Sequence, residues 1–228
     1  YGDRAHRGHH RRDLGDRHFG GGVHPEGDSL RAGAEDTEDS CQQPQDDAVH
    51  ILSFYRDRRI RIQQEKAVQE ACAAVFQTAA SFEEMEYEPD EALSQELGAD
   101  GVKIGSVYRA LGSDGNPLGV VVESTSTEGY GGNIVLYLGV TNEGVLNDIS
   151  ILEISETPGL GMLAPEELVP QFHEKNVDSF AYTKTGASAE NEIDAIAGAT
   201  ITTKAVTNAV NGGLKAAQAL TEGGASNE

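Results

Sequence analysis

The chain has 228 residues and a formal net charge of −21, with 38% hydrophobic and 24% charged residues. That is enough for one full domain plus a tail or for two small domains, and the balance suits a soluble globular core. The acidity argues against nucleic acid and anionic lipid as partners, because phosphate binding needs a basic surface. Cys41 and Cys72 are the only cysteines, too few for a disulfide framework or a four-cysteine zinc site. No apolar run approaches the ~18 residues of a membrane span, and no signal-peptide core is visible.

Composition shifts near residue 61. Residues 1–61 hold ten of eleven arginines, six of seven histidines and no lysine. Their net charge is −2, against −19 for residues 62–228. The first segment shows neither helical nor strand periodicity. It reads as an anomalous Arg/His-rich tail, disordered or standing in place of a membrane anchor, with a core over 62–220 and a disordered tail over 221–228. His6, His9, His10 and His18 cluster in it, but a flexible His-rich tail binds metal adventitiously, so no metal site is expected. Read one nucleotide later, the nineteen codons of residues 6–24 can all encode apolar residues or Thr. Nineteen is about the length of a membrane helix, so this stretch is expected to be a frame-shifted rendering of an anchor.

In the core, residues 62–79 read as a helix, with Val68, Ala71, Cys72, Val75 and Ala79 on one face. Cys72 is a buried small apolar residue on that face. Phe82, Met85 and Tyr87 form a short strand, and 88–101 reads as an acidic loop with Pro89 and Gly98. Val107–Leu111 and Leu118–Ser124 are strands joined by a turn at Gly112–Asn116, where Asp-Gly supplies positive φ. Ile134–Val140 and Val145–Ile154 form the next hairpin. A short helix over Pro165–Phe172, with His173 as a surface residue, and a strand over Phe180–Thr183 follow. A final helix runs from about Thr203 to Leu220, striped by Val206, Val210, Leu214, Ala217 and Leu220. The fold class is α+β: an antiparallel meander flanked by an N-terminal and a C-terminal helix.

Three loops carry more chemistry than turns need. In Thr127–Gly132 three glycines flank Tyr130, an arrangement that suits close backbone approach to a ligand beside an aromatic face, or a plain turn. In Glu156–Gly161 Pro158-Gly159 sets a tight turn with Gly159 at positive φ, and Glu156 and Thr157 can point into what the turn encloses. The alternative is a strand-ending turn. In Asp194–Thr203 small residues lead into the last helix, whose N-terminus attracts anions. One of its three threonines would serve as a cap. The spacing is not that of a P-loop.

The segment DAIAGATITTKAV, residues 194–206, resembles the covalent flavin motif of the FMN-binding domain family. ETPGLG at 156–161 and GYGG at 129–132 resemble that family's other blocks, in the same order. The family includes the G subunit of the Rnf electron-transport complex and the C subunit of the sodium-pumping quinone reductase, and the likeness is greater to the former. It spans roughly residues 62–220. The resemblance implies an FMN-binding domain fold and an electron carrier in a membrane ion-translocating ferredoxin:NAD oxidoreductase, with FMN attached by a phosphoester to Thr200. It implies a flavin transferase and the other subunits of the complex as partners. It also implies an extracytoplasmic position, held by an N-terminal membrane helix that is not visible in this chain.

Glu156, Thr157, Gly159, Leu160, Gly161 and Tyr130 are then expected around the flavin. Gly198, Ala199, Thr202, Thr203 and Lys204 are expected around its phosphate, with Lys204 a neutralising cation or a solvated helix residue. No catalytic residue is expected, since a bare threonine needs an external transferase. Ala197 departs from the family's usual Ser or Thr, at a position that is not the attachment point. Two other readings fit the residues: an FMN carrier domain of another extracytoplasmic route, and a non-covalent flavin- or phosphate-binding module in which Thr200 only caps the helix.

Overall fold

The computed structural model describes the backbone of residues 43–224 and the side chains of residues 58–221. The tail over 1–42, with its histidine cluster and the stretch 6–24, lies outside the described residues, as do residues 225–228. The chain forms two units, Tyr1–Val49 and His50–Glu228. Of the first, only the opening turns of a helix are described; the sheet and the cavity beside it belong to the second.

Five strands run in sequence order as one antiparallel sheet: β1 (Ser81–Met85), β2 (Val102–Leu111), β3 (Pro117–Ser126), β4 (Ile134–Thr141) and β5 (Leu146–Glu153). Alternation along β3 sends Val120 and Val122 to one face and Val121 to the other, as the two-residue period of a strand requires. Helix α4 (Thr200–Gly224) covers the first face, burying Ala205, Val206, Ala209, Val210 and Leu214 against Val122, Leu136 and Leu138. The end of helix α1 (Gln43–Val75) covers the second with Ala71, Cys72 and Val75, beside Ala110, Val121 and Tyr137. The meander between two helices is therefore as expected.

Several boundaries differ from the sequence reading, each for a local reason. Helix α1 runs from Gln43, through the boundary expected at 61/62, and stops at Val75 rather than 79. It stops there because the Ala80 N–H pairs with the Leu111 carbonyl at 2.7 Å and starts the sheet. The acidic stretch 88–101 holds a helix, α2 (Glu91–Ala99), where a loop was expected. Asp90 caps it by accepting from the Leu93 N–H at 2.8 Å, and Leu97 is its buried residue; Pro-Asp before the first turn is a helix start. Strand β2 begins five residues before Val107. An irregularity between Ile104 and Val107 breaks the alternation that would have revealed it.

The segment over 165–172 is a short helix, α3 (Ala164–Glu167), between single 3₁₀ turns. His173 stands exposed in the turn after them, its Nδ1 3.2 Å from the Asp148 carboxylate. Strand β6 (Ala181–Thr183) pairs in parallel with β7 (Glu192–Asp194), a strand too short to leave a pattern. Helix α4 starts three residues earlier than expected and continues through Gly224, past the tail boundary expected at 221.

Candidate functional site

The loop after β3, the turn after β5 and the first turn of α4 meet on the α4 side of the sheet. Between them lies a cavity of about 440 Å³, lined by Tyr130, Glu156, Thr157, Leu160, Gly161, Gly198, Ala199, Thr200, Ile201 and Thr202. That is within the ~300–1,000 Å³ of small-molecule sites. Nine of the twelve residues expected at the site thus come together.

Three do not line it. Gly159 forms the turn itself, with φ +73° as Pro-Gly requires. Thr203 is fully buried and turned toward its own backbone: its hydroxyl donates to the Ala199 carbonyl at 3.0 Å and accepts from the Ile196 N–H at 3.2 Å. It fastens the approach to the helix and has no hydrogen left for a phosphate. Lys204 lies off the lining and pairs with an acidic residue of the loop after β3. It donates to Glu128 Oε2 at 2.8 Å, and that hydrogen bond holds its ammonium above the ordinary lysine range.

The threonine hydroxyls sort by partner. Thr202, 1% exposed, donates to Glu156 Oε2 at 3.1 Å. Thr207 donates to the Thr203 carbonyl at 2.8 Å. Thr200, half-buried on the cavity wall, has no hydrogen-bond partner among the described residues. The residue before it is Ala199, which carries no capping side chain. The N–H groups of Thr200, Ile201 and Thr202 therefore meet no acceptor among the described residues, while that of Thr203 bonds the Ala199 carbonyl. Four N–H groups are left over at any helix start; here three of them belong to residues that line the same cavity as the free hydroxyl.

Glycine makes part of the cavity wall. A Cβ on Gly161 would lie 2.5 Å from Thr202 Oγ1 and 2.8 Å from Glu156 Oε2, so only glycine leaves this space. Apolar surface rims it: Tyr130 is 71% exposed, Ile201 52% and Leu160 38%. Exposed apolar groups gathered at one place mark a binding surface. A flat, apolar body carrying an anionic end fits this donor set: aromatic and aliphatic walls at one part, free N–H groups and a hydroxyl at the other.

Sequence reasoning missed Ile201 on the cavity wall and Glu128 as the partner of Lys204. Ile201 had a signal, an isoleucine off the buried stripe of α4 between two threonines. Glu128 had none, since its pairing with Lys204 spans 76 residues.

Residues 129–215, which hold all the residues lining the cavity, match the FMN-binding domain family. The G subunit of the Na(+)-translocating ferredoxin:NAD(+) oxidoreductase complex of Acetobacterium woodii is 34% identical over 151 residues, 65% of this chain and 72% of that protein. The G subunit of the proton-translocating ferredoxin:NAD(+) oxidoreductase complex of Clostridium ljungdahlii is 39% identical over 103 residues, 45% of this chain and 55% of that protein. Among solved structures, NqrC of Shewanella oneidensis is similar with a TM-score of 0.46 at 19% identity, over 54% of this chain and 61% of that one.

Proposed function

The chain belongs to the G-subunit family of ion-translocating ferredoxin:NAD(+) oxidoreductase complexes, a family with an FMN-binding domain, and from that premise we propose that it is an electron carrier holding FMN through a phosphoester on Thr200. One observation carries the attachment point: of the threonines in the first two turns of α4, Thr200 alone lines the cavity with its hydroxyl unengaged.

The residues fit the group. The free N–H groups of Thr200, Ile201 and Thr202 would be the donors that hold a phosphate on the Thr200 oxygen, and the positive end of α4 would favour its charge. Tyr130, Leu160 and Ile201 supply apolar walls for a planar ring, and Gly161 and Gly198 let backbone approach it. Bound FMN supplies one- and two-electron transfer; the protein binds the cofactor, orients it and limits the access of water. Lys204 pairs with Glu128 at the surface, and the free N–H groups of α4 would be the nearer donors to the phosphate.

No described side chain hydrogen-bonds Thr200 to activate it, and an unassisted threonine is a poor nucleophile. Attachment therefore falls to a separate flavin transferase, which finds the hydroxyl on an open cavity wall. The relatives translocate ions as parts of complexes, and the same setting is proposed for this chain: beside the other members of such a complex, on the extracytoplasmic face of a membrane. Among the described residues no helix is long and apolar enough to cross a membrane, so a membrane helix would have to come from outside them.

The test is intact mass and flavin fluorescence on a denaturing gel after co-expression with a transferase. The wild-type chain is expected to gain one FMN less water, and Thr200→Ala to gain nothing. No gain in the wild type, with the transferase active on a control, makes Thr200 a helix residue only and the cavity a non-covalent site.

A further inference from the structure

Glu156 is a carboxylate in an unusual position. It is 8% exposed, it lies in the cavity wall, and no lysine or arginine pairs with it among the described residues. A buried carboxylate must be satisfied by donors or it costs several kcal/mol. Both of its oxygens are satisfied, by two different elements. Oε1 accepts from the Gly131 N–H at 3.3 Å, and Oε2 accepts from the Thr202 hydroxyl at 3.1 Å. Its own N–H faces Met162 Sδ at 3.4 Å, within the turn that carries it. Two glycines leave the room it occupies: a Cβ on Gly129 would stand 2.9 Å from Oε1, and one on Gly161 2.8 Å from Oε2.

The loop that carries Tyr130 is otherwise held at its start. The Thr127 N–H and hydroxyl both bond the Gly101 carbonyl, at 2.8 and 3.0 Å, and the half-exposed Glu128 pairs with Lys204. Exposed ion pairs contribute little. Beyond Glu128, the hydrogen-bonded tie from this loop to α4 among the described residues is the Glu156 carboxylate.

We propose that Glu156 is a positioning residue, not a flavin ligand: its carboxylate fastens the Tyr130 loop to the first turn of α4 and holds the cavity in the shape that receives FMN. This rests on the flavin reading only for what the cavity receives; the strut itself belongs to the protein without cofactor. It also withholds the Thr202 hydroxyl, which leaves Thr200 as the engageable one.

The test uses the full chain as wild type, Glu156→Gln, Glu156→Ala and Thr202→Val, each with and without transferase co-expression. In the unloaded proteins, amide hydrogen exchange is followed over residues 129–132 and the first turn of α4. Glu156→Ala is expected to speed exchange of the loop about 10-fold, the effect of losing a buried hydrogen-bonded tie. Glu156→Gln keeps the tie, because its amide oxygen accepts from Gly131 and its amide nitrogen donates to the Thr202 oxygen, so it stays within about 3-fold of wild type. Thr202→Val cuts the α4 side alone and speeds the loop in a protein whose Glu156 is intact, which serves if Glu156→Ala does not fold. In the loaded proteins, flavin fluorescence anisotropy and visible circular dichroism are expected to be wild-type in Glu156→Gln and to move toward free FMN in Glu156→Ala.

Loop exchange unchanged in Glu156→Ala or in Thr202→Val overturns the proposal. So does a Gln variant that behaves like the Ala variant, because a strut tolerates the neutral isostere and a charge-dependent ligand does not. Failure of the wild type to load defeats the flavin reading instead, and leaves the exchange comparison to decide on Glu156.

Discussion

Thr200, Thr202 and Thr203 have the same side chain and stand within four residues, yet their surroundings give them three different tasks. Thr203 closes a backbone loop, Thr202 meets Glu156, and Thr200 faces the cavity with nothing to bond. What separates them is the partner each one meets rather than the helical face: Thr200 and Thr203 are i, i+3 neighbours, but Thr203 is turned to the backbone before the helix and Thr202 to Glu156. Gly161 is the counterpart of this arrangement on the opposite wall. A methyl group there would meet the Thr202 hydroxyl oxygen at 2.5 Å and Glu156 Oε2 at 2.8 Å. Two buried polar groups would have to part or the turn would have to move, and overpacking of this kind costs roughly 1–3 kcal/mol. Gly161→Ala is therefore expected to lower stability by about that amount in urea denaturation. It should also reduce covalent loading while leaving Thr200 in place. Full stability with full loading would show that the turn has slack the structure does not display.

Among the elements, those with a strong period were legible from the residues. The stripe of α4 is dictated by burial on one side, and β3 and β4, buried on both faces, read as apolar runs bounded by turn residues. The start of α4 was set three residues late, because threonines are weak helix formers and the small residues before them carry no period. Helix α2 was hidden by its acidity and by Gly98, although Pro89-Asp90 announces it. The cavity loops were legible because glycine and Pro-Gly are chosen for backbone reasons that survive in one dimension. The wiring between them was not, since Glu156 meets Thr202 across 46 residues and Lys204 meets Glu128 across 76.

Helix α1 gives a prediction at this same scale. Its packing buries the Cys72 thiol to 1% exposure, and that burial pushes its pKa up to about 12 from 9.0. Above pH 9 the unfolded chain releases the thiol proton and the folded chain keeps it. Stability is thus fully present below pH 9 and falls as pH rises toward 12, with a slope approaching about 1.4 kcal/mol per unit. Tyr137 and Tyr108, also raised mainly by burial, join above pH 10. Urea midpoints between pH 9 and 10 are expected to fall in the wild type and to flatten in Cys72→Ala. Equal slopes in the two proteins would move the alkaline loss to other groups.

For the molecule as a whole the governing quantity is charge. Residues 62–228 carry a net −19, and the −21 of the full chain is spread over a surface with few cations to offset it. Such a net charge biases the potential over the surface toward negative values. A flavin that gains negative charge on reduction does so against that potential, so its reduction is harder than in a neutral protein and its midpoint potential lies lower. Salt acts on this part alone: the screening length is about 30 Å at 0.01 M ionic strength and about 3 Å at 1 M. At low salt the whole domain contributes to the field at the cavity. At high salt only groups in or beside the cavity do, and Glu156, buried there, is shielded least. The midpoint potential of the loaded protein is therefore expected to rise between about 0.01 and 1 M sodium chloride and then to level off at a value set by the near charges. Spectroelectrochemical titration at the two ionic strengths measures both. A rise in wild type that persists unchanged in Glu156→Gln belongs to the surface. A potential that is level with salt and moves only in Glu156→Gln puts the control in the cavity wall, and makes the acidity of the domain a matter of its surroundings rather than of its redox chemistry.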